Sequence, residues 1–247
     1  MSLTTPSADP PPVPPPAAPG AEPVASGAGP VATEPVPTGS GVTEETVPPA
    51  GVAPVRQLSL FGVEATEPSP ADLTGLLVGP GQVVRMGGTA RVSVVVDSAW
   101  RVHVLAAELA TRGLPVSWEG TGDQRHEVRT AYATTLAPLA RSWLRGGAKR
   151  PPAGLYLNGR RLRLWVAAAG SPEPAGFLLR LGDAEENCWE PVGAALAAVG
   201  LPAVLLPPRA AGPAYRITGR RRLARLMELV GERPAAAPAA SWPTSAG

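Results

Sequence analysis

The body of this chain is written twice. From Trp100 a helical pattern runs to Gly113-Leu114-Pro115, and from Trp189 a second one runs to Gly200-Leu201-Pro202. Val102, Leu105, Ala106 and Leu109 fall at helical spacing in the first, and Val192, Ala195, Leu196 and Val199 in the second. Each helix is expected to stop at its glycine, and each Leu-Pro then launches an extended run. Val116 to Glu119 and Glu127 to Ala133 read as a β-pair, matched by Ala203 to Leu206 and Ala214 to Thr218, so that Arg129 corresponds to Arg216. Both copies close in a short helix, Leu136 to Leu144 with Leu139-Ala140-Arg141, and Arg220 to Val230 with Leu223-Ala224-Arg225.

The match continues upstream. A helical segment, Asp72 to Gly81, precedes a β-pair at Gln82 to Arg85 and Ala90 to Val96, joined by a turn at Met86-Gly87-Gly88. Its counterpart, Arg161 to Gly170, precedes Phe177 to Leu181, with the intervening strand short or lost among Ser171-Pro172-Glu173-Pro174. Each unit therefore reads helix, two strands, helix, two strands, helix. A unit this small has one-sided strands that must be covered, and its sibling can cover them. The expected class is α+β, an internal pseudo-dimer of αββαββα units with antiparallel sheets. The expected boundaries are 71–147 for the first unit and 148–234 for the second.

Leu73-Thr74-Gly75-Leu76-Leu77-Val78-Gly79-Pro80-Gly81 resembles the LAGLIDADG motif at its framework positions, and the second copy resembles the degenerate units of WhiA-type regulators. The resemblance implies that the two motif helices pack on each other and that saddle-shaped sheets lie over duplex DNA. Gly75 and Gly79 on one helix, with Ala167 to Ala169 on the other, would allow the close approach such a seam needs.

The resemblance also implies where catalytic carboxylates would stand, and this sequence departs there. The first acidic position is Val78 in one copy and Ala167 in the other, and the metal-binding one is Pro80 and Ala169. An apolar side chain cannot ligate Mg²⁺. Asp72 lies at the far end of its helix and Glu173 in a Pro-rich turn. The expectation is a nuclease-like scaffold that is not an enzyme, with no metal and no cofactor. No phosphate-binding loop is present, because Gly79-Pro80-Gly81 and Met86-Gly87-Gly88-Thr89 lack its spacing and lysine. The single cysteine, Cys188, excludes an internal disulfide, and His103 and His126 lack metal-ligand spacing.

Residues 1 to 55 are rich in Pro, Ala, Gly, Val, Thr and Glu and cannot bury enough apolar surface to offset chain entropy. Disorder is expected there, and again from 235 to 247. Between tail and body stands an apolar island, Gln57-Leu58-Ser59-Leu60-Phe61, within a linker segment of 56–70. It resembles the motif by which bacterial replication and repair proteins bind the DNA sliding clamp. Leu60 and Phe61 would fill adjoining pockets, Leu58 would add area, and the Gln57 amide would bond at the rim. The other reading is that Leu58 to Val63 docks on the chain's own body.

Charge divides along the same line. Residues 1 to 70 hold one base, Arg56, against seven acids, a balance of −6; residues 71 to 247 hold 21 Lys and Arg against 13 acids, a balance of +8. A basic body suits a polyanionic partner, since Lys and Arg at phosphates release counterions. The candidate contacts to duplex DNA are Arg85, Arg91 and Arg129 in the first copy, Arg180 and Arg216 in the second, and Lys149 and Arg150 in the connector. The expected function is a DNA-binding adaptor recruited to the clamp by Gln57 to Phe61. The alternatives are a WhiA-like transcription regulator and a protein-interaction module without DNA binding. No apolar run suits a membrane span, and the start lacks the pattern of a secretory signal, so a cytoplasmic or nucleoid-associated monomer is expected. The Ala, Gly, Pro and Arg excess suggests a GC-rich, actinobacterial genome.

Overall fold

The computed structural model describes residues 67–183, 186–208 and 212–243. Gln57 to Phe61 lie outside the described residues. A 3-10 turn, Pro70–Leu73, leads into helix α1, Thr74–Leu77. Strands β1 (Gln82–Met86) and β2 (Thr89–Val96) follow, then α2 (Ala99–Ala110), β3 (Val116–Thr121), β4 (Arg125–Thr130) and α3 (Ala137–Trp143). A small hairpin, β5 (Leu144–Arg145) and β6 (Ala148–Lys149), leads to the second copy. That copy comprises α4 (Gly159–Ala169), β7 (Gly170–Glu173), β8 (Gly176–Arg180), α5 (Glu186–Ala198), β9 (Val204–Leu206), β10 (Ala214–Ile217) and α6 (Arg220–Val230).

The duplication is thus present as an α+β fold with two four-stranded antiparallel sheets of the same order, β1-β2-β4-β3 and β7-β8-β10-β9. The strand expected to be short or lost is β7, which pairs with β8 from Gly170↔Leu179 to Glu173↔Gly176. Its proline is tolerated because β7 is an edge strand, where a missing N–H breaks no interior ladder.

The core is centred on α4. Leu162, Leu164, Trp165, Val166 and Ala167 are all fully buried, so the C-terminal half of this helix is enclosed on every side. It packs against α1, α2 and α6. Its start is set by Asn158, whose side-chain oxygen accepts from the Arg161 N–H at 3.0 Å. The two motif helices run side by side in the same direction, Gly75 against Arg161 and Gly79 against Trp165. The expected glycine seam is therefore real. The partners of those glycines, however, are the Arg161 backbone and the Trp165 indole, while Ala167 lies further along α4.

Tyr215 on β10 ties the second sheet to α5. Its hydroxyl donates to the Trp189 carbonyl at 2.6 Å. A side chain at Gly193 would meet that hydroxyl at 2.4 Å. Burial raises the Tyr215 pKa above 10.0, against the nearby Gly193 backbone, which lowers it.

The C-terminal segment departs from the expectation of a tail beginning at 235. Ala237 and Trp242 are buried, the Trp242 indole donates to the Gly231 carbonyl at 3.3 Å, and the Arg163 guanidinium lies 5.4 Å over its ring. One large aromatic side chain is enough to hold a Pro- and Ala-rich segment against the body.

Candidate nucleic-acid interface

Strand register decides which predicted arginines share a face, because directly paired residues point the same way. In the first sheet Val84 pairs with Arg91, and Ser93 with Arg129, so Arg91 and Arg129 lie on the face away from the helices. Arg85 pairs with the fully buried Ala90 and projects on the opposite face. The two-residue turn at Gly87-Gly88 causes this. It pairs odd positions of β1 with even positions of β2, so residues 85 and 91 cannot alternate onto one side.

The arginines of the outer faces are largely engaged. Arg129 makes a forked pair with Glu119 on β3, Nη1 to Oε1 at 2.7 Å and Nη2 to Oε2 at 3.2 Å, with Glu127 at 3.8 Å. Its counterpart Arg216 pairs with Glu173 on β7. Glu173 therefore stands on a strand and not in a turn. Arg91 lies over the Tyr132 ring at 5.1 Å. Around these pairs Val84, Met86 and Val95 are exposed on the first sheet.

Lys149 and Arg150, predicted together, are separated by function. The Lys149 ammonium donates to the carbonyls of Gly79 at 3.1 Å and Gly81 at 2.6 Å, just past the C-terminal end of α1. Arg150 is exposed, held by its backbone N–H to the Trp143 carbonyl at 2.7 Å. Arg160, Arg161 and Arg163 serve the interior. Arg161 stacks on Tyr156 at 3.8 Å, Arg160 approaches Asp72 at 3.7 Å, and Arg163 bonds Glu108 and the Val230 and Glu232 carbonyls.

Arg101 was not among the predicted residues, yet it organises the centre. Its Nη1 donates to the carbonyls of Val166 at 3.2 Å and Ala167 at 2.9 Å, and its Nη2 to that of Gly170 at 2.6 Å. Its Nε donates to Asp97 at 2.8 Å, and the side chain is 6% exposed. Both motif helices thus end on a cationic side chain, Lys149 for α1 and Arg101 for α4, where the helix dipole is negative. The sequence signal was the Asp97 to Arg101 spacing of a helical ion pair, but the α4 carbonyls that Arg101 caps lie far along the chain.

Arg180, exposed on β8, comes close enough to Asp97 and Arg101 to be felt by both. Burial would raise the Asp97 pKa, but Arg101, the Ser98 hydroxyl and Arg180 outweigh it and hold the carboxyl below its usual value. Burial lowers the Arg101 pKa, against the pull of Asp97; a guanidinium stays charged through such a shift. The result is a basic centre at the end of α4, built from Arg101 and Arg180 around Asp97. Beside it Val78, Ala167 and Ala169 are buried.

Neither a family model nor a curated protein matches this chain. Solved structures similar to it include the homing endonuclease I-WcaI bound to its DNA recognition sequence, 13% identical, covering 73% of this chain and 89% of that one with a TM-score of 0.49. The N-terminal LAGLIDADG domain of DUF199/WhiA is 15% identical, covering 66% and 82%, with a TM-score of 0.47. The endonuclease I-DmoI in complex with DNA and Mn is 16% identical, covering 67% and 97%, with a TM-score of 0.40. The expectation that this chain is not an enzyme is overturned here, since homing endonucleases are among its structural neighbours. The reason is physical as well: apolar residues at four motif positions decide what those four side chains ligate, and nothing about carboxylates elsewhere.

Proposed function

We propose that this chain binds duplex DNA through its doubled body and is brought to the replication sliding clamp by Gln57 to Phe61. The observation that carries the DNA reading is the disposition of unneutralised charge. The body's balance is +8. Of its predicted contacts, Arg85, Arg150 and Arg180 are exposed and make no ion pair among the described residues. Arg180 also stands at the basic centre of the two units, taken as 71–147 and 148–234. A guanidinium so placed can fork onto phosphate oxygens or a guanine edge.

The clamp reading rests on the identity and order of Gln57-Leu58-Ser59-Leu60-Phe61. Tethering there would raise the local concentration of the body at DNA, so modest affinity suffices. The deciding experiment is a pulldown of purified clamp, with and without duplex, by wild type and by a Leu60→Ala, Phe61→Ala variant. Loss of clamp in the variant supports recruitment, and equal recovery ends it. Gel shifts across a salt series test the body separately, and incubation of nicked and intact duplex with Mg²⁺ or Mn²⁺ tests cleavage.

One observation favours a protein-facing role for part of the body. The first sheet's outer face carries exposed Val84, Met86 and Val95 beside an Arg129 already clamped by carboxylates. Under this reading no salt-sensitive DNA binding is seen at all.

A further inference from the structure

Helix α6 opens against the usual polarity. Acidic residues favour the first turn of a helix and basic ones the last. α6, eleven residues long, has no acid in its first turn and begins Arg220-Arg221-Arg222, with Arg225 one turn on. These four side chains, with Thr218 and Gly200, line an open cleft of about 720 Å³ whose walls include no carboxylate. Arg225 is engaged, pairing with Glu228 at 2.8 Å and donating to the Val199 carbonyl at 3.4 Å. Arg222 donates to the Thr218 carbonyl at 3.3 Å. Arg220 and Arg221 are exposed and have no carboxylate partner among the described residues.

Like charges this close repel one another, and the helix dipole adds to the repulsion. A closely spaced polyanion relieves both. The acids of residues 1 to 70 are too scattered to supply one, with Glu44-Glu45 their only adjacent pair. A duplex presents one charge about every 1.7 Å of its axis, and guanidinium groups fork onto its phosphate oxygens.

We propose that the α6 cleft is a second contact to nucleic acid, gripping backbone phosphates away from the sheet faces and reading no bases. The proposal deepens the DNA-binding reading and rests on it. Its shared chemistry, a run of phosphate anions, also fits a free oligophosphate, so the test has an arm for each.

The full chain is compared with an Arg220→Gln, Arg221→Gln, Arg222→Gln variant and with the corresponding triple lysine variant, all checked for unchanged melting. Fluorescence anisotropy on a duplex of several helical turns is followed over a salt series. Each lost phosphate contact should flatten the slope of log affinity against log salt by about 0.9, so the glutamine variant should lose about two to three units. The lysine variant should recover most of that. Wild type that binds with a slope unchanged by the glutamines overturns the cleft and leaves the DNA reading standing. If wild type binds no duplex, the DNA reading fails. The cleft is then judged with sodium tripolyphosphate: a rise in melting temperature abolished by the glutamines assigns it to free oligophosphate, and no rise ends the proposal.

Discussion

A β-carbon added to Gly75 would stand 1.9 Å from the carbonyl oxygen of Arg161. No side-chain rearrangement relieves that clash, because both neighbours are helix backbone at the centre of the core. The seam between the two copies is therefore set by a missing methyl group.

Gly75→Ala should push the motif helices apart and cost about 1–3 kcal/mol or more, as overpacking does. Gly88→Ala, at a position with nothing within 4 Å of the new carbon, should stay within about 0.5 kcal/mol of wild type. Urea denaturation of the two variants checks the contrast. Equal midpoints would mean that the seam is not where the copies meet.

Arg101→Met keeps much of the side chain's bulk but leaves the Val166, Ala167 and Gly170 carbonyls without their buried donor. The expected loss is about 1–3 kcal/mol, the cost of leaving buried acceptors unsatisfied. Thermal and urea unfolding measure it. A loss below about 1 kcal/mol, the scale of an exposed ion pair, would show that the cap is dispensable.

Asp97 adds a pH dependence whose direction follows from its depressed pKa. The folded value lies below 3.8, so its contribution to stability is complete above the unfolded value and disappears as pH falls through the folded one. Wild type should therefore lose stability more steeply on acidification below 3.8 than Asp97→Asn, and the two profiles should run parallel at neutral pH. Melting temperatures across an acid series test this. Parallel profiles at low pH would refute it.

Tyr215→Phe removes one hydroxyl and nothing else. The Trp189 carbonyl inside α5 loses the donor that hydroxyl supplies. A loss of about 0.5–1.5 kcal/mol is expected, the net contribution of one hydrogen bond. Amide exchange should also quicken at Gly193, which simple loss of packing elsewhere would not cause.

Arg150→Gln and Arg180→Gln together should flatten the salt dependence of duplex binding by about two units if each neutralises one phosphate. Arg129→Gln should change it much less, because Glu119 already holds that guanidinium at 2.7 Å and 3.2 Å. Anisotropy titrations distinguish the two. The reverse order would move the interface onto the first sheet's outer face.

Much of the architecture was legible in the residues. Helix α6 runs from Arg220 to Val230 as its pattern indicated, and the two Gly-Leu-Pro stops mark the ends of α2 and α5. The individual arginines were another matter. Arg129 and Arg216 correspond in the repeat, yet each is held by a glutamate on another strand of its own sheet that no local pattern links to it. Lys149, expected at DNA, donates instead to the Gly79 and Gly81 carbonyls just past α1, 70 and 68 residues earlier in the chain.

What the residues determined alone was whatever depends on near neighbours: helical period, glycine stops, strand alternation and the doubling itself. Tertiary structure decided which cations remain available. That depends on the parity of a two-residue turn, which sends Arg85 and Arg91 to opposite faces, and on carbonyls and carboxylates brought up from distant segments. An arginine's charge is written in the chain, but whether that charge is already spent depends on long-range packing.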